Sequence, residues 1–229
     1  MQSTQMRTTV DNLAAPGSFA AEQYQALRLK IEGLQQTRGV RVLAVTSPGV
    51  SDGKTVTSIN LAAALARGPG TRVLLIDADL RRPSVAKQLG MPDDDGAGFA
   101  GAIGDGSKAI ADVVRQLDRP NGLAVVPAGS AMTEVHELLR SPRFGDLLRE
   151  ARESYDFIVL DTPPLVPVCD AALVSRLVDG TLVVVAAHET PRRLLGEALS
   201  LLDESKTLGI VFNGDDRPSL SQYNAYYRH

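Results

Sequence analysis

A chain of 229 residues is long enough for one α/β domain with a substantial core, and argues against a second full domain. Lys plus Arg total 24 against 27 for Asp plus Glu, a formal net charge of -3, which excludes a global basic field for nucleic acid. The single cysteine, Cys169, excludes an internal disulfide, and no window approaches the roughly 18 apolar residues of a membrane span.

Residues 1–18 are polar, contain Pro16-Gly17 and lack the hydrophobic core of a signal peptide, so they read as a flexible leader. The compartment expected is the cytoplasm, with any work at a membrane relying on a partner. Tyr24, Leu27, Ile31 and Leu34 recur at three- and four-residue steps, which predicts a helix over 19–36 with one apolar face. Glu22, Gln25 and Arg28 fall on another side, as a solvated face or as a subunit contact.

Residues 42–65 read VLAVTSPGVSDGKTVTSINLAAAL. An apolar run at 42–45 enters a loop with Ser47, Pro48, Gly49, Ser51, Asp52 and Gly53, and Lys54-Thr55 opens a helix expected over 55–66. That is the layout of a P-loop. The backbone from Gly49 through Val50, Ser51, Asp52 and Gly53 to Val56 would cradle phosphates, because N–H groups at a helix N-terminus attract anions and Gly53 has no Cβ to block the approach. Lys54 would neutralise the terminal phosphates of ATP and the Thr55 hydroxyl would bind Mg²⁺. The usual pattern is G-x-x-x-x-G-K-[ST], and its first position here is Pro48. A plain strand-to-helix turn containing Gly-Lys-Thr is the competing reading.

Further along, an apolar run at 73–76 ends in Asp77-Ala78-Asp79, and Leu80-Arg81-Arg82-Pro83-Ser84 begins a short helix to about residue 89. Residues 91–108 are Gly- and Asp-rich and predict a surface loop with a helical turn near 99–103. Another strand is expected at 123–126. Ser141-Pro142, cap and first-position proline, starts a helix to about 154. A strand at 157–160 ends in Asp161, another spans 182–187, Thr190-Pro191 repeats the cap-and-proline start for a helix to about 202, and the last strand is 208–212. The domain that carries the P-loop is placed at 19–213. A tail at 214–229 lacks apolar periodicity and reads as flexible, yet it holds Tyr223, Tyr226 and Tyr227.

Strands alternating with helices predict an α/β fold, a mostly parallel sheet flanked by helices, with ligands at the carboxyl ends of the strands. Gly53-Lys54-Thr55, Asp77/Asp79 and Asp161 should therefore converge. Asp161 suits a Walker B aspartate that holds the metal with Thr55. Asp77 and Asp79 exceed what one Mg²⁺ requires, so one can partner the metal and the other can act as base for an attacking hydroxyl. Helix capping ahead of Leu80 is their other reading. His136, His188 and His229 show no metal-ligand spacing, and Cys169 reads as a packed thiol. Arg81 and Arg82 are a solvated pair, or meet a phosphate or a neighbouring subunit. Asn213, just past the last strand, is a candidate contact for adenine.

The phrase VLLIDADLRRP resembles the Walker A′ signature of the bacterial tyrosine kinases, the P-loop enzymes of capsular and exopolysaccharide synthesis. EQYQALRLKI resembles that family's oligomerisation motif, YDFIVLDTPPLVPVCDA its Walker B region, AGSAMTEVHELLRSPRF the stretch before it, and the tail its tyrosine cluster. The resemblance spans about residues 20–229. It implies an ATP- and Mg²⁺-dependent protein-tyrosine autokinase that assembles into a ring and offers Tyr223, Tyr226 and Tyr227 to a neighbour. Its implied activator is a membrane-anchored polysaccharide co-polymerase that recruits it to the inner face of the membrane; a tyrosine phosphatase is a further candidate partner, and nucleic acid is not. Lys54 and Thr55 take the Walker A roles, Asp77 and Asp79 the Walker A′ roles, Asp161 the Walker B role, and Glu22 and Arg28 match the oligomerisation motif. Two departures stand out. The family's Pro-Gly-x-Gly-Lys is Val50-Ser51-Asp52-Gly53-Lys54 here, and Gln25 replaces an arginine that would make a bidentate pair. Two other readings stay open: a nucleotide-binding scaffold that transfers no phosphate, and a positioning-type ATPase switch. Against the switch, its early signature lysine is Gly49 here.

Overall fold

The computed structural model describes residues 18–91, 98–117 and 122–215. Tyr223, Tyr226 and Tyr227, residues 1–17 of the expected leader and residues 216–229 of the expected tail lie outside the described residues. Ser18 caps the first helix, its hydroxyl accepting from the Ala21 N–H at 3.2 Å, and Gly39 closes it in the left-handed conformation at φ 69. This helix, α1 (Phe19–Arg38), is followed by β1 (Val42–Thr46), α2 (Lys54–Leu65), β2 (Val73–Asp77) and the single turn α3 (Val85–Gln88). Then come α4 (Phe99–Gly104), α5 (Ile110–Val113), β3 (Arg115–Gln116), β4 (Leu123–Val126), α6 (Val135–Arg140) and α7 (Pro142–Ser154). The described chain closes with β5 (Phe157–Asp161), α8 (Asp170–Ser175), β6 (Gly180–Ala186), α9 (Arg192–Ser200) and β7 (Thr207–Asn213).

The seven strands lie in the order β3-β4-β2-β5-β1-β6-β7, all parallel except the β3–β4 pair. Every residue of β1, β2, β4 and β5 is buried, which is why these strands read as unbroken apolar runs rather than as alternating ones. Alternate residues feed two cores. Leu43, Val45, Leu75 and Val159 pack with Ile31 of α1 and Ile59, Leu61 and Leu65 of α2; Val42, Ala44, Leu74, Ile158 and Leu160 pack with Phe99, Phe144 and Leu147. Phe99 and Phe144 meet edge to face with centroids 5.1 Å apart.

Several sequence expectations shift. The stretch from Leu80 to Ser84 is irregular and its helix begins only at Val85, because Asp77 accepts the Ser84 and Val85 N–H groups there. Ser141 caps α7 as expected, accepting from Arg143 N–H at 3.2 Å. Thr190 does not cap α9. Its hydroxyl donates to Asp52 Oδ1 at 2.7 Å, so it braces the P-loop instead. Cys169 is exposed, not packed. The strand β3 and the helices α5, α6 and α8 carry no sequence signal strong enough to predict them, since each spans only two to six residues. Among the described residues no helix is long and apolar enough to cross a membrane.

Candidate functional site

The central strands are consecutive in the sheet: β2, β5, β1. Their carboxyl ends carry Asp77, Asp161 and the loop into α2, and Asp77 sits in register with Asp161. The βαβ connectivity thus gathers residues more than a hundred positions apart. Lys54 Nζ lies 2.8 Å from Asp79 Oδ2 and 3.8 Å from Asp161 Oδ2. Thr55 Oγ1 donates to Asp161 Oδ2 at 2.7 Å and lies 3.0 Å from the Ser84 hydroxyl. Ser58 is a residue that the sequence reading missed: its hydroxyl reaches Asp161 Oδ1 at 3.0 Å and the Lys54 carbonyl at 2.9 Å. The signal was available, because Ser58 stands three residues after Thr55 and shares its face of α2.

The P-loop is built from its own side chains. Asp52 is buried, its Oδ2 accepting the Gly49 N–H at 2.9 Å while Oδ1 takes the Thr190 hydroxyl. Ser47 donates to the Gly49 carbonyl at 2.6 Å. Asn213, the last residue of β7 rather than a residue beyond it, donates to the Asp52 carbonyl at 3.1 Å and lies directly over Gly53. Gly53 has φ 93, and a Cβ there would sit 2.0 Å from Asn213 Nδ2. Only glycine fits. Ser51, where the family pattern has glycine, is held at φ 68. Val50 and Val56 are exposed on the loop and the first turn of α2.

Elsewhere, Asp77 also takes the Asp79 N–H, and Asp79 Oδ1 accepts from Arg82 N–H at 3.1 Å. The capping reading therefore describes part of what both carboxylates do. Arg81 is partly exposed but not free: it grips the buried Asp170 and reaches the Thr133 carbonyl. Glu22 is exposed in the first turn of α1, while Arg28 is tied within the helix to Glu32 at 2.7 Å.

Electrostatically, the site holds three buried carboxylates against one ammonium. Burial lowers the Lys54 pKa, but Asp161 and Asp79 outweigh it and raise it above the ordinary value. Burial, reinforced by Asp161, pushes Asp77 up to about 7, and burial also raises Asp161. A carboxyl whose folded pKa is raised stabilises the fold below its unfolded value, 3.8, and loses that contribution as pH climbs through about 7. Asp77→Asn removes this titration. Without nucleotide or metal, the stability of that variant relative to the parent should improve by about 2 kcal/mol between pH 5.5 and 8, whatever its offset from lost hydrogen bonds. Urea unfolding at both pH values measures the slope; parallel pH profiles would contradict it.

A family model described as an AAA domain matches residues 40–198. The chain is 31% identical over 225 residues to tyrosine-protein kinase YwqD of Bacillus subtilis, covering 97% of this chain and 93% of the relative. It is 35% identical over 225 residues to the succinoglycan biosynthesis transport protein ExoP of Rhizobium meliloti, where it covers 94% of this chain but spans only 28% of the relative's length. Among solved structures, the kinase domain of the Escherichia coli tyrosine kinase ETK superposes with a TM-score of 0.80 at 29% identity, over 90% of this chain and 78% of that one.

Proposed function

The chain belongs to the bacterial tyrosine kinase family, and on that premise we propose that it is an ATP-dependent protein-tyrosine autokinase serving capsular or exopolysaccharide synthesis. The observation that carries the reading is the meeting of Lys54, Thr55, Asp77, Asp79 and Asp161 at the ends of three adjacent strands.

Mg²⁺ fits this site. Three buried carboxylates facing a single lysine leave a surplus of negative charge that a divalent cation would neutralise, and the oxygen donors are of the hard kind it takes. Thr55, Asp77 and Asp161 would hold it, and when bound it would offset charge on the phosphate oxygens. The backbone from Gly49 to Val56 binds the phosphates and Asn213 borders the nucleotide side of the loop. Lys54, now paired with Asp79, turns to the terminal phosphates. That exchange frees Asp79 Oδ2, whereas the Asp77 oxygens stay engaged with backbone N–H donors. Asp79 is thus the better placed base to take the proton of an attacking tyrosine hydroxyl, with Asp77 on the metal side.

The acceptors are Tyr223, Tyr226 and Tyr227, offered to a neighbouring subunit. Glu22 and Arg28 contribute to a ring of copies, Arg28 exchanging its Glu32 partner for one across the interface. A match to a short stretch of a longer transport protein supports a membrane-anchored co-polymerase as activator, bringing a cytoplasmic enzyme to the membrane. A tyrosine phosphatase would reverse the modification.

Purified protein given ATP, Mg²⁺ and the activating segment should gain phosphate on the tail tyrosines, read by mass spectrometry. Nucleotide binding without any tail phosphate would leave the scaffold reading instead. Ser51→Gly tests the altered loop. It removes a side chain from a left-handed position, a relief of about 1 kcal/mol largely offset by the added freedom of the unfolded chain. Stability should move by less than about 1 kcal/mol, while Mg·ADP binds about three- to tenfold more tightly by calorimetry as the Cβ leaves the phosphate path.

A further inference from the structure

Away from the phosphate site, three residues that the proposed kinase reaction does not use converge on one point. His136 of α6, Cys169 just before α8 and Asp170 at its first position bring Nδ1, Sγ and a carboxylate oxygen within 4.8 Å of one another. His136 Nδ1 lies 3.8 Å from Cys169 Sγ and 3.6 Å from Asp170 Oδ1. We propose that His136, Cys169 and Asp170 form a binding site for a zinc ion.

The ring nitrogen decides between this and a nucleophilic thiol. A Cys-His-Asp relay needs the thiol on one imidazole nitrogen and the carboxylate on the other, so that a proton can pass through the ring. Here both face the same Nδ1, which is the geometry of donors around a shared centre. With Zn–N and Zn–O bonds of about 2.0–2.2 Å and Zn–S of about 2.3 Å, tetrahedral ligands stand about 3.3–3.6 Å apart. The two edges from His136 are already within about 0.3 Å of that. Closing the remaining edge falls to Cys169, an exposed side chain with room to turn.

The anionic ligand is held in place before any metal arrives. The Asp170 side chain is 1% exposed, and Arg81 grips both of its oxygens, Nε on Oδ2 and Nη2 on Oδ1 at 3.4 Å, while Oδ1 also faces the histidine. Arg81 also donates to the Thr133 carbonyl at 3.1 Å, tying the segment before α6 to the start of α8. A ligating carboxylate oriented in this way is the usual second support of a metal site. Thiolate, imidazole and carboxylate together favour zinc over Mg²⁺, which takes hard oxygens. His136 and Cys169 lie at the surface, so the fourth position is open to water. Binding replaces the thiol S–H bond with Zn–S, and the proton leaves to solvent.

The chain has one cysteine, which makes the test residue-specific. The full chain, untagged and without nucleotide or Mg²⁺, is alkylated with iodoacetamide in a non-chelating buffer at pH 7.5, and the modified fraction is followed by mass spectrometry as Zn²⁺ is added. One equivalent of Zn²⁺ at micromolar concentration should slow alkylation of Cys169 at least tenfold. His136→Gln should raise the zinc concentration needed by at least tenfold. Absence of protection overturns the site. Protection that His136→Gln leaves unchanged also overturns it, since the thiol would then hold zinc by itself. Both side chains are surface-exposed or half-buried, so the variant keeps its fold, which far-ultraviolet circular dichroism verifies.

Discussion

Lys54→Met is expected to abolish tail phosphorylation, lowering the rate by at least two to three orders of magnitude, the usual cost of removing one preorganised donor from the developing charge. It should also cost stability. Among the described residues the lysine is the cation ion-paired with Asp79 and Asp161, and its loss leaves these buried carboxylates without that charge partner, a change of about 3–5 kcal/mol where they must stay ionised. They can escape by taking up protons. The penalty should therefore be smaller at pH 6 than at pH 8, unlike a simple packing loss, which has no pH dependence. Lys54→Arg separates the two effects. It keeps a positive charge among the aspartates, so most of the stability should return, but a planar fork cannot stand in for a compact ammonium on the terminal phosphates, so phosphorylation should not. Radiolabel transfer and urea unfolding at the two pH values measure both. A Lys54→Met protein that still phosphorylates its tail would remove Lys54 from the reaction and with it the P-loop reading of residues 49–56.

How much of this was legible follows from where each interaction lies along the chain. The buried strands announced themselves because a sheet covered on both faces demands continuous apolar runs, and VLLID or FIVLD meet that demand without help from elsewhere. Convergence of Lys54, Asp77, Asp79 and Asp161 followed from topology alone, since alternating strands and helices make the sheet parallel and aim all its carboxyl ends one way. What topology does not reveal is which loops touch. The Thr190–Asp52 hydrogen bond joins positions 138 apart, and nothing in a Thr-Pro pair distinguishes a brace for the P-loop from a helix cap. His136 and Cys169 lie 33 residues apart, far outside any ligand spacing visible in one segment, and meet only because α6 and α8 pack side by side. Cys169 read as packed because cysteines usually are. Its actual position at the surface follows from the irregular chain between β5 and α8.

Gly53→Ala should damage nucleotide binding, for a different reason. At φ 93 any Cβ carries the steric cost of a left-handed residue, about 1–2 kcal/mol. The new methyl would also fall 2.0 Å from Asn213 Nδ2 and 2.9 Å from its Cγ, so the amide must swing away and give up its hydrogen bond to the Asp52 carbonyl. Together these predict a loss of about 2–3 kcal/mol in stability and at least tenfold in affinity for Mg·ADP. The double variant Gly53→Ala/Asn213→Ala distinguishes the causes. Removing the amide lets the methyl fit, so part of the stability should return, about 1 kcal/mol as a coupling between the two positions. Affinity should not return with it, because the methyl still stands where the backbone must approach a phosphate. Calorimetric titration and denaturant unfolding of the two single variants and the double complete the cycle. If Gly53→Ala binds Mg·ADP as the parent does, the loop between β1 and α2 is a tight turn that happens to carry Gly-Lys-Thr, and the nucleotide belongs elsewhere on the molecule.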